Sequence, residues 1–238
     1  MGKGVLYLIP SSLGEITPER SFPSFNTSII SSLRHFITEE IKTARRFIRK
    51  VCPDFIIEEA EFMIFNEHSL TFDLSPYLTP LLNGMNVGLL SEAGLPCIAD
   101  PGSAIVMEAH RKQIHVVPLI GPSSLFLALM ASGFNGQNFI FHGYLPVEKQ
   151  DREKKIREIE RNAYSSHQTQ IMIETPYRNL HLFESLISVC REITLICIAS
   201  ELTTPAEYIQ TRSVSSWKGT SPPIHKHPTV FLLHPPLP

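Results

Sequence analysis

The sequence lacks several features that would assign a protein to a class at once. It has four cysteines, and none stands in a Cys-x-x-Cys pair, so we expect reduced thiols of a cytoplasmic protein rather than a zinc site. It has no excess of one charge, because 21 basic and 23 acidic residues give a net charge of −2, which excludes a global attraction to nucleic acid or anionic membrane. It also has no apolar run of about 18 residues, the length of a membrane helix.

Familiar catalytic motifs are missing too. There is no GxxxxGK[ST], no GxGxxG after the first strand, no GxSxG and no HExxH, so the corresponding nucleotide-binding, hydrolase and metalloprotease sites are not indicated. The histidines at 66–68 and 225–227 lack companions at metal-ligand spacing, and no metal is expected. The N-terminus has only about five apolar residues in a row, too few for a signal peptide, which again predicts a cytoplasmic protein.

Short apolar runs alternate with helical patterns along the chain. This alternation predicts an α/β protein with largely parallel sheets. A break near residues 118–122 would divide it into two α/β domains, 1–118 and 119–238, each of ordinary size. Strands are predicted at 4–9, 34–37, 62–65, 87–90, 114–119, 139–143, 170–174, 193–199 and 229–234, and helices at 39–51, 76–83, 103–112, 123–132, 151–163 and 178–190.

Small residues and acids follow several predicted strands. The stretch SEAGLPCIADPG (91–102) comes directly after an apolar run and contains Gly94 and Gly102, which let backbone approach a ligand closely. Since ligands bind beyond the carboxyl ends of strands in open parallel sheets, this stretch predicts a ligand loop rather than a core turn. Ser123 and Ser124, at the start of an apolar predicted helix, either offer hydroxyl and N–H groups to a ligand or simply cap that helix.

The predicted helix at 39–51 separates apolar from basic side chains. Ile41, Ala44, Ile48 and Val51 recur at spacings of three and four and fall on one face. The cations on the opposite face form either a solvated surface or a phosphate-binding stripe, and the helix does not belong to the predicted ligand loops. We call these cations the basic stripe: Lys42, Arg45, Arg46, Arg49 and Lys50.

The stretch VGLLSEAGLPCIADPG resembles the signature V-x-L-[IV]-S-D-A-G-T-P-x-I-S-D-P-G of the methyltransferases with the tetrapyrrole methylase fold. The closest branch is methyltransferase I, the cytidine 2′-O-methyltransferase of small-subunit ribosomal RNA. Further stretches resemble that branch in the same order, so that the resemblance spans nearly the whole chain: GVLYLIPSSLGE, TEEIKTARRFI, FNEHS, VVPLIGPSSLFLALMASG, FHGYLP, IETPYRNL and IASELTTPAEYI.

The resemblance implies two α/β domains with S-adenosylmethionine in the cleft between them, a homodimer, and 2′-O-ribose methylation of ribosomal RNA. By position, it implies cofactor contacts from loops that follow strands in both domains. These residues are Pro10, Leu13, Gly94, Leu95, Pro96, Ile98, Ser123, Ser124, Glu174, Ala199, Pro228 and Thr229.

The implied chemistry is an in-line displacement at the sulfonium methyl group, for which alignment supplies much of the effect. A ribose hydroxyl is a weak nucleophile and needs a positioned base. The candidates for this base are Glu39, Glu40, Glu67 and Glu201.

The chain also departs from the family pattern. Ile41 and Lys42 stand for the Thr and Arg of E-D-T-R, Ser200 stands for the Arg of R-E-L, and Glu92 replaces Asp. These changes leave two other interpretations open. In the first, the methyl acceptor is a porphyrin or corrin precursor or another small molecule. In the second, the protein binds S-adenosylmethionine and RNA without turnover.

Overall fold

The computed structural model describes residues 2–15, 22–69 and 73–236. The chain divides into two compact units between Ser123 and Ser124. The sequence-based boundary at 118 lies a few residues earlier. Leu119 accounts for the difference, because it is buried in the first unit and its N–H donates to the Leu8 carbonyl at 3.0 Å.

The first unit contains a five-stranded parallel sheet in the order β3-β2-β4-β1-β5. Helices α1 and α2 pack on one face and α3 and α4 on the other. The strands are β1 (Val5–Ile9), β2 (His35–Thr38), β3 (Glu61–Ile64), β4 (Val87–Leu90) and β5 (His115–Pro118). The helices are α1 (Ser24–Ser32), α2 (Ile41–Val51), α3 (Ser75–Leu82) and α4 (Ser103–Arg111).

Strand alternation builds both cores of this unit. Phe36 and Ile37 are adjacent in β2, so their side chains point to opposite faces of the sheet. Phe36 packs in the cluster that contains Ile48 of α2, and Ile37 packs in the cluster that contains Ile105 of α4. All four side chains are fully buried, and each such burial stabilises the fold by about 1.5–3 kcal/mol.

The second unit contains a five-stranded mixed sheet in the order β6-β7-β10-β8-β9. Only the β6–β7 pair of this sheet is parallel; β10 runs antiparallel to β7 and β8, and β9 antiparallel to β8. The strands are β6 (Phe139–Tyr144), β7 (Thr169–Ile173), β8 (Leu195–Ser200), β9 (Tyr208–Ser213) and β10 (Thr229–His234). The helices are α5 (Ser124–Ser132), α6 (Lys149–Ser166), α7 (Asn179–Val189) and α8 (Val214–Trp217).

The expectation of largely parallel sheets is therefore right for the first unit and wrong for the second. The connection from β8 to β9 covers only residues 201–207, which is too short for the crossover that a parallel pair needs. The prediction also missed α1, α8 and β9. Within the described residues, no helix has both the length and the apolar character needed to cross a bilayer. The four cysteines are free thiols, and only Cys97 is partly exposed.

Candidate functional site

Two loops of the first unit lie side by side where β1 and β4 end. The Ser11 N–H donates to the Gly94 carbonyl at 2.8 Å, and the Gly94 N–H donates back to the Ser11 carbonyl at 3.3 Å. The buried Ser91 hydroxyl also donates to the Gly94 carbonyl, at 3.1 Å. Because β1 and β4 are neighbours in a parallel sheet, the first loop and the 91–102 loop meet at one edge.

Close packing joins the predicted cofactor positions of this edge. A side chain at Gly94, which has φ +78°, would begin 3.1 Å from the end of Leu13 and 3.5 Å from the Pro122 carbonyl. A side chain at Gly121 would lie 2.3 Å from the ring of Pro10. A side chain at Gly121 therefore requires the first loop to shift, whereas one at Gly94 requires the end of Leu13 to give way by a few tenths of an ångström.

Asp100 shapes the remainder of the 91–102 loop. Its carboxylate accepts the N–H of Cys97 at 2.8 and 2.9 Å and the N–H of Gly102 at 2.7 Å. These bonds hold Cys97 and Ala99 in left-handed backbone conformations, with φ of 69° and 63°. Burial raises the pKa of Asp100, and the backbone N–H donors oppose that rise. Burial and then the Asp100 charge raise the pKa of Cys97 to about 12, so its thiol stays protonated.

The predicted cofactor residues of this loop differ in exposure. Pro96 is buried and Leu95 is half-buried, whereas the Ile98 side chain is 47% exposed. Ser123 and Ser124, on the two sides of the unit boundary, are both half-buried. The loop thus offers backbone and one apolar side chain to a ligand.

A cavity of about 120 Å³ opens between these loops and α2. Hydroxyl-bearing residues of the first loop, of the end of β4 and of α2 (Thr43) line it. The charged residues Arg46, Lys50 and Glu92 line it as well. Ser11 is 4% exposed, and its hydroxyl has no hydrogen-bond partner among the described residues. We call this space the Ser11 cavity.

The Ser11 cavity corrects the expectation that the basic helix is separate from the ligand loops. In the sheet order, β2 lies next to β4 and β4 next to β1. Since α2 begins just after β2, its first turns lie over the same sheet edge as the two loops. The sequence-based prediction included neither Thr43 nor Glu92 among the site residues. The proximity of Thr43 to the loops depends on strand order, whereas Glu92 lies within the predicted ligand loop itself.

The acids at this edge have different surroundings. Glu40 caps α2, where it accepts the N–H groups of Lys42 and Thr43 at 3.0 and 2.9 Å, and these bonds lower its pKa. Glu92 is an exposed residue, and partial desolvation of its carboxyl raises its pKa. The Thr43 hydroxyl and the Arg46 charge oppose this rise, and the Glu40 charge adds to it. Of the other candidate bases here, Glu39 is half-buried at the end of β2, and the Glu67 side chain lies outside the described parts of the structure.

The basic stripe lies exposed along α2 as the helical pattern predicts. Its cations are not equivalent, because Arg49 pairs with Glu58 at 3.4 Å and the Arg45 guanidinium lies 5.2 Å from the centre of the Phe62 ring. The side chains of the other three form no salt bridge with any described residue, and a surface depression of about 510 Å³ runs past several members of the stripe. These three cations are Lys42, Arg46 and Lys50.

In the second unit, β10 brings the remaining predicted cofactor residues together. It runs antiparallel between β7 and β8, so it begins where those two strands end. The fully buried Ala199 pairs with Val230, and the Thr229 hydroxyl donates to the Ser200 hydroxyl at 3.0 Å. The Pro228 carbonyl accepts the N–H of Glu201 at 3.0 Å.

Two side chains fix the loops around this cluster. The Glu174 carboxylate is buried and already accepts Arg178 at 2.6 and 3.1 Å. The Asn179 amide N–H₂ donates to the carbonyls of Ile224 and His227 and to the Thr229 hydroxyl, at 3.1, 2.6 and 3.2 Å. The side-chain amide oxygen of Asn179, Oδ1, is buried and has no hydrogen-bond partner among the described residues. No sequence pattern marked Asn179, because its contacts are with residues far along the chain.

Glu201, the last candidate base, contacts a histidine that sequence reasoning assigned to a surface turn. Its carboxylate lies 2.9 Å from Nδ1 of His227. Its own backbone is left-handed, with φ 51°. Across the described ranges, no group of three or more histidine, cysteine or acidic side chains is arranged to hold a metal ion.

The chain is similar to proteins named ribosomal RNA small subunit methyltransferase I. It is 28% identical to that of Vibrio cholerae over 98% of this chain and 78% of the relative, and 29% identical to that of Bacillus subtilis over 80% and 64%. It is 31% identical to that of Haemophilus influenzae over 65% of this chain and 53% of the relative. No family model matches the chain.

A solved structure supports the fold. The methyltransferase CobJ superposes with a TM-score of 0.65 over 99% of this chain and 95% of that chain, at 18% identity. This likeness confirms the expected fold class, the tetrapyrrole methylase fold.

Proposed function

We propose that this methyltransferase of the tetrapyrrole methylase fold transfers a methyl group from S-adenosylmethionine to a ribose 2′-hydroxyl of ribosomal RNA. The proposal rests on its similarity to the proteins named ribosomal RNA small subunit methyltransferase I. One observation carries the choice of acceptor. Arg46 and Lys50 of the basic stripe line the same cavity as Ser11 and Ser91 of the predicted cofactor loops. Cations beside a methyl-donor site suit a phosphate-bearing acceptor.

The residues present fit S-adenosylmethionine, which would supply an electrophilic methyl group. The family resemblance assigns contacts with it to backbone at 10–13 and 94–98 of the first unit and at 199 and 228–229 of the second. The second-unit positions lie beside the side-chain oxygen of Asn179, which is buried and has no partner among the described residues. A buried polar atom of this kind is normally satisfied, so it indicates a ligand or ordered water.

RNA binding would depend mainly on the unpaired members of the basic stripe. Each phosphate contact releases a condensed counterion, which lowers affinity as salt rises. Lys42, Arg46 and Lys50 are available for such contacts because no described carboxylate pairs with them. Arg49 is less available, since Glu58 lies 3.4 Å away.

Labelled methyl transfer tests the proposal directly. Purified protein, tritiated S-adenosylmethionine and small ribosomal subunits that lack the modification should give label in the RNA. Nuclease digestion and mass spectrometry should recover it as a 2′-O-methylnucleoside. A Gly94→Leu variant is the control that should bind no cofactor. Label in porphyrin or corrin precursors but not in RNA would favour the small-molecule alternative, and cofactor binding without any transfer would favour a non-catalytic protein.

We also propose that the protein is a homodimer that acts in the cytoplasm, where ribosomal RNA is made. The dimer rests on the family resemblance. Light scattering should give about 54 kDa, twice the 26.8 kDa of one chain. A mass near that of one chain at micromolar concentration would exclude a stable dimer.

A further inference from the structure

The Ser11 cavity has the size and lining of a site for a sugar ring. Its volume of about 120 Å³ leaves room for a small group such as a pentose ring. Four hydroxyl-bearing residues from three separate segments line it, namely Ser11, Ser12, Ser91 and Thr43; the hydroxyls of Ser91 and Thr43 already donate to Gly94 and Glu40. The Ser11 hydroxyl is buried and has no partner among the described residues, and this costs stability unless a ligand or water satisfies it.

The charges of the cavity favour a phosphate next to that sugar. Arg46 and Lys50 lie one turn apart on α2, and neither pairs with a described carboxylate. Glu92 comes from the end of β4, so the cavity offers cations from the helix and one carboxylate from the sheet. The cations suit a phosphate, whereas the carboxylate and the hydroxyl groups suit ribose hydroxyls.

We propose that the Ser11 cavity binds the ribose and adjoining phosphate of the acceptor nucleotide, and that Glu92 accepts the proton of the ribose hydroxyl that becomes methylated. This inference rests on the proposed function. As the hydroxyl oxygen forms its bond to the methyl carbon, the carbon–sulfur bond breaks and its electron pair remains on sulfur. The hydroxyl proton passes to the Glu92 carboxylate, and the products are the methyl ether, S-adenosylhomocysteine and protonated Glu92.

Two observations favour Glu92 over the acids near it. The Glu40 carboxylate is committed to the backbone N–H groups at the start of α2, which lowers its pKa and weakens it as a base. The pKa of Glu92 is raised instead, which makes its carboxylate a better proton acceptor near neutral pH. Glu92 also lines the cavity directly, whereas Glu40 is not among the described residues that line it.

A cycle of one protein change and one RNA change tests the contact. The probe is the shortest RNA that the wild type methylates, made with ribose or 2′-deoxyribose at the target nucleotide. For the wild type, the deoxy change should weaken binding about tenfold, because it removes a hydrogen bond to a charged group. For Glu92→Gln, the same change should weaken binding less than threefold. The matched control Glu59→Gln, an acid that does not line the cavity, should keep the wild-type difference.

Rates and cofactor affinity complete the test. Glu92→Gln should lower the single-turnover rate at least about 100-fold, as expected for a lost general base, while S-adenosylmethionine affinity stays within twofold. An unchanged rate, or a deoxy penalty that is the same in both proteins, overturns the inference and leaves the proposed function standing. A tenfold loss of cofactor affinity in Glu92→Gln would assign the cavity to the cofactor's own ribose and also overturn it. If the wild type methylates no RNA, the proposed function fails first, and the inference with it.

Discussion

Replacing Gly94 should separate the cofactor role of the 91–102 loop from its role in stability. Gly94 and Gly133 have the same φ of +78°, but their surroundings differ. The added methyl of Gly94→Ala would begin 3.1 Å from the Leu13 side chain, whereas nothing lies within 4 Å of a methyl at Gly133. The two variants therefore share a backbone cost and differ only in crowding of the first loop.

The backbone cost is that of an alanine in the left-handed region, about 1–2 kcal/mol. For a chain of this size it should lower Tm by roughly 2–8 °C in both variants. Leu13 can give way by a few tenths of an ångström, so crowding adds little to stability. It displaces a side chain of the predicted cofactor site, however, and isothermal titration with S-adenosylmethionine should show at least a tenfold weaker Kd for Gly94→Ala.

Gly133→Ala should keep its Kd within twofold of the wild type at a similar loss of Tm. Equal cofactor affinity in the two variants would refute the assignment of Gly94 and Leu13 to the cofactor site. A larger loss of affinity in Gly133→Ala would show that the effect follows from instability rather than from the loop.

Three further predictions follow from contacts in both units. Arg46→Ala should flatten the slope of log K against log salt by about one unit in filter-binding assays with RNA. Arg49→Ala should flatten it less, because Glu58 already pairs with Arg49. Equal slopes for the two variants would contradict this prediction. Asn179→Ala should destabilise the protein by about 1–3 kcal/mol in urea unfolding, because buried acceptors lose their donor, and it should also weaken cofactor binding. An unchanged urea midpoint would show that the 224–229 segment does not need the hydrogen bonds from Asn179. Glu40→Gln should lower the free energy of unfolding at neutral pH. Because capping lowers the pKa of Glu40 below 4.5, the stability advantage of the wild type should disappear as the pH falls through the pKa of Glu40 in the folded protein. A difference in urea unfolding that persists at low pH would exclude the Glu40 cap as the cause of the advantage.

The elements that the sequence predicted well are those whose own residues carry the pattern. The apolar run at 87–90 became the central strand β4, buried throughout, and the spacing of Ala44, Ile48 and Val51 placed the basic stripe outward on α2. The strand β9 was missed because its sequence, YIQTRS, is polar and lies at the edge of its sheet. None of its six residues is fully buried, so its apolar pattern is weak.

The details of the candidate site depended on contacts between distant residues. Arg49 pairs with Glu58, and Asn179 bonds to Thr229 fifty positions later, and no local spacing predicts either contact. Glu40 was proposed as a base from its position in a motif, and the structure shows that its carboxylate caps α2. The cofactor residues implied by resemblance lie at strand ends in both units, and their binding role stays a prediction.

The place of β10 in its sheet has a consequence for the order in which the second unit folds. This strand is the last one among the described residues, yet it supplies the sheet's centre, between β7 and β8. Until residues 229–234 are available, no strand can hydrogen-bond β7 to β8. The unpaired edges of these two strands can then pair with strands of other chains. The first unit also inserts a later strand, β4, between β1 and β2, but all its strands precede residue 119. We therefore expect the first unit to fold early during synthesis, while the second stays incomplete and prone to aggregate until its final strand leaves the ribosome.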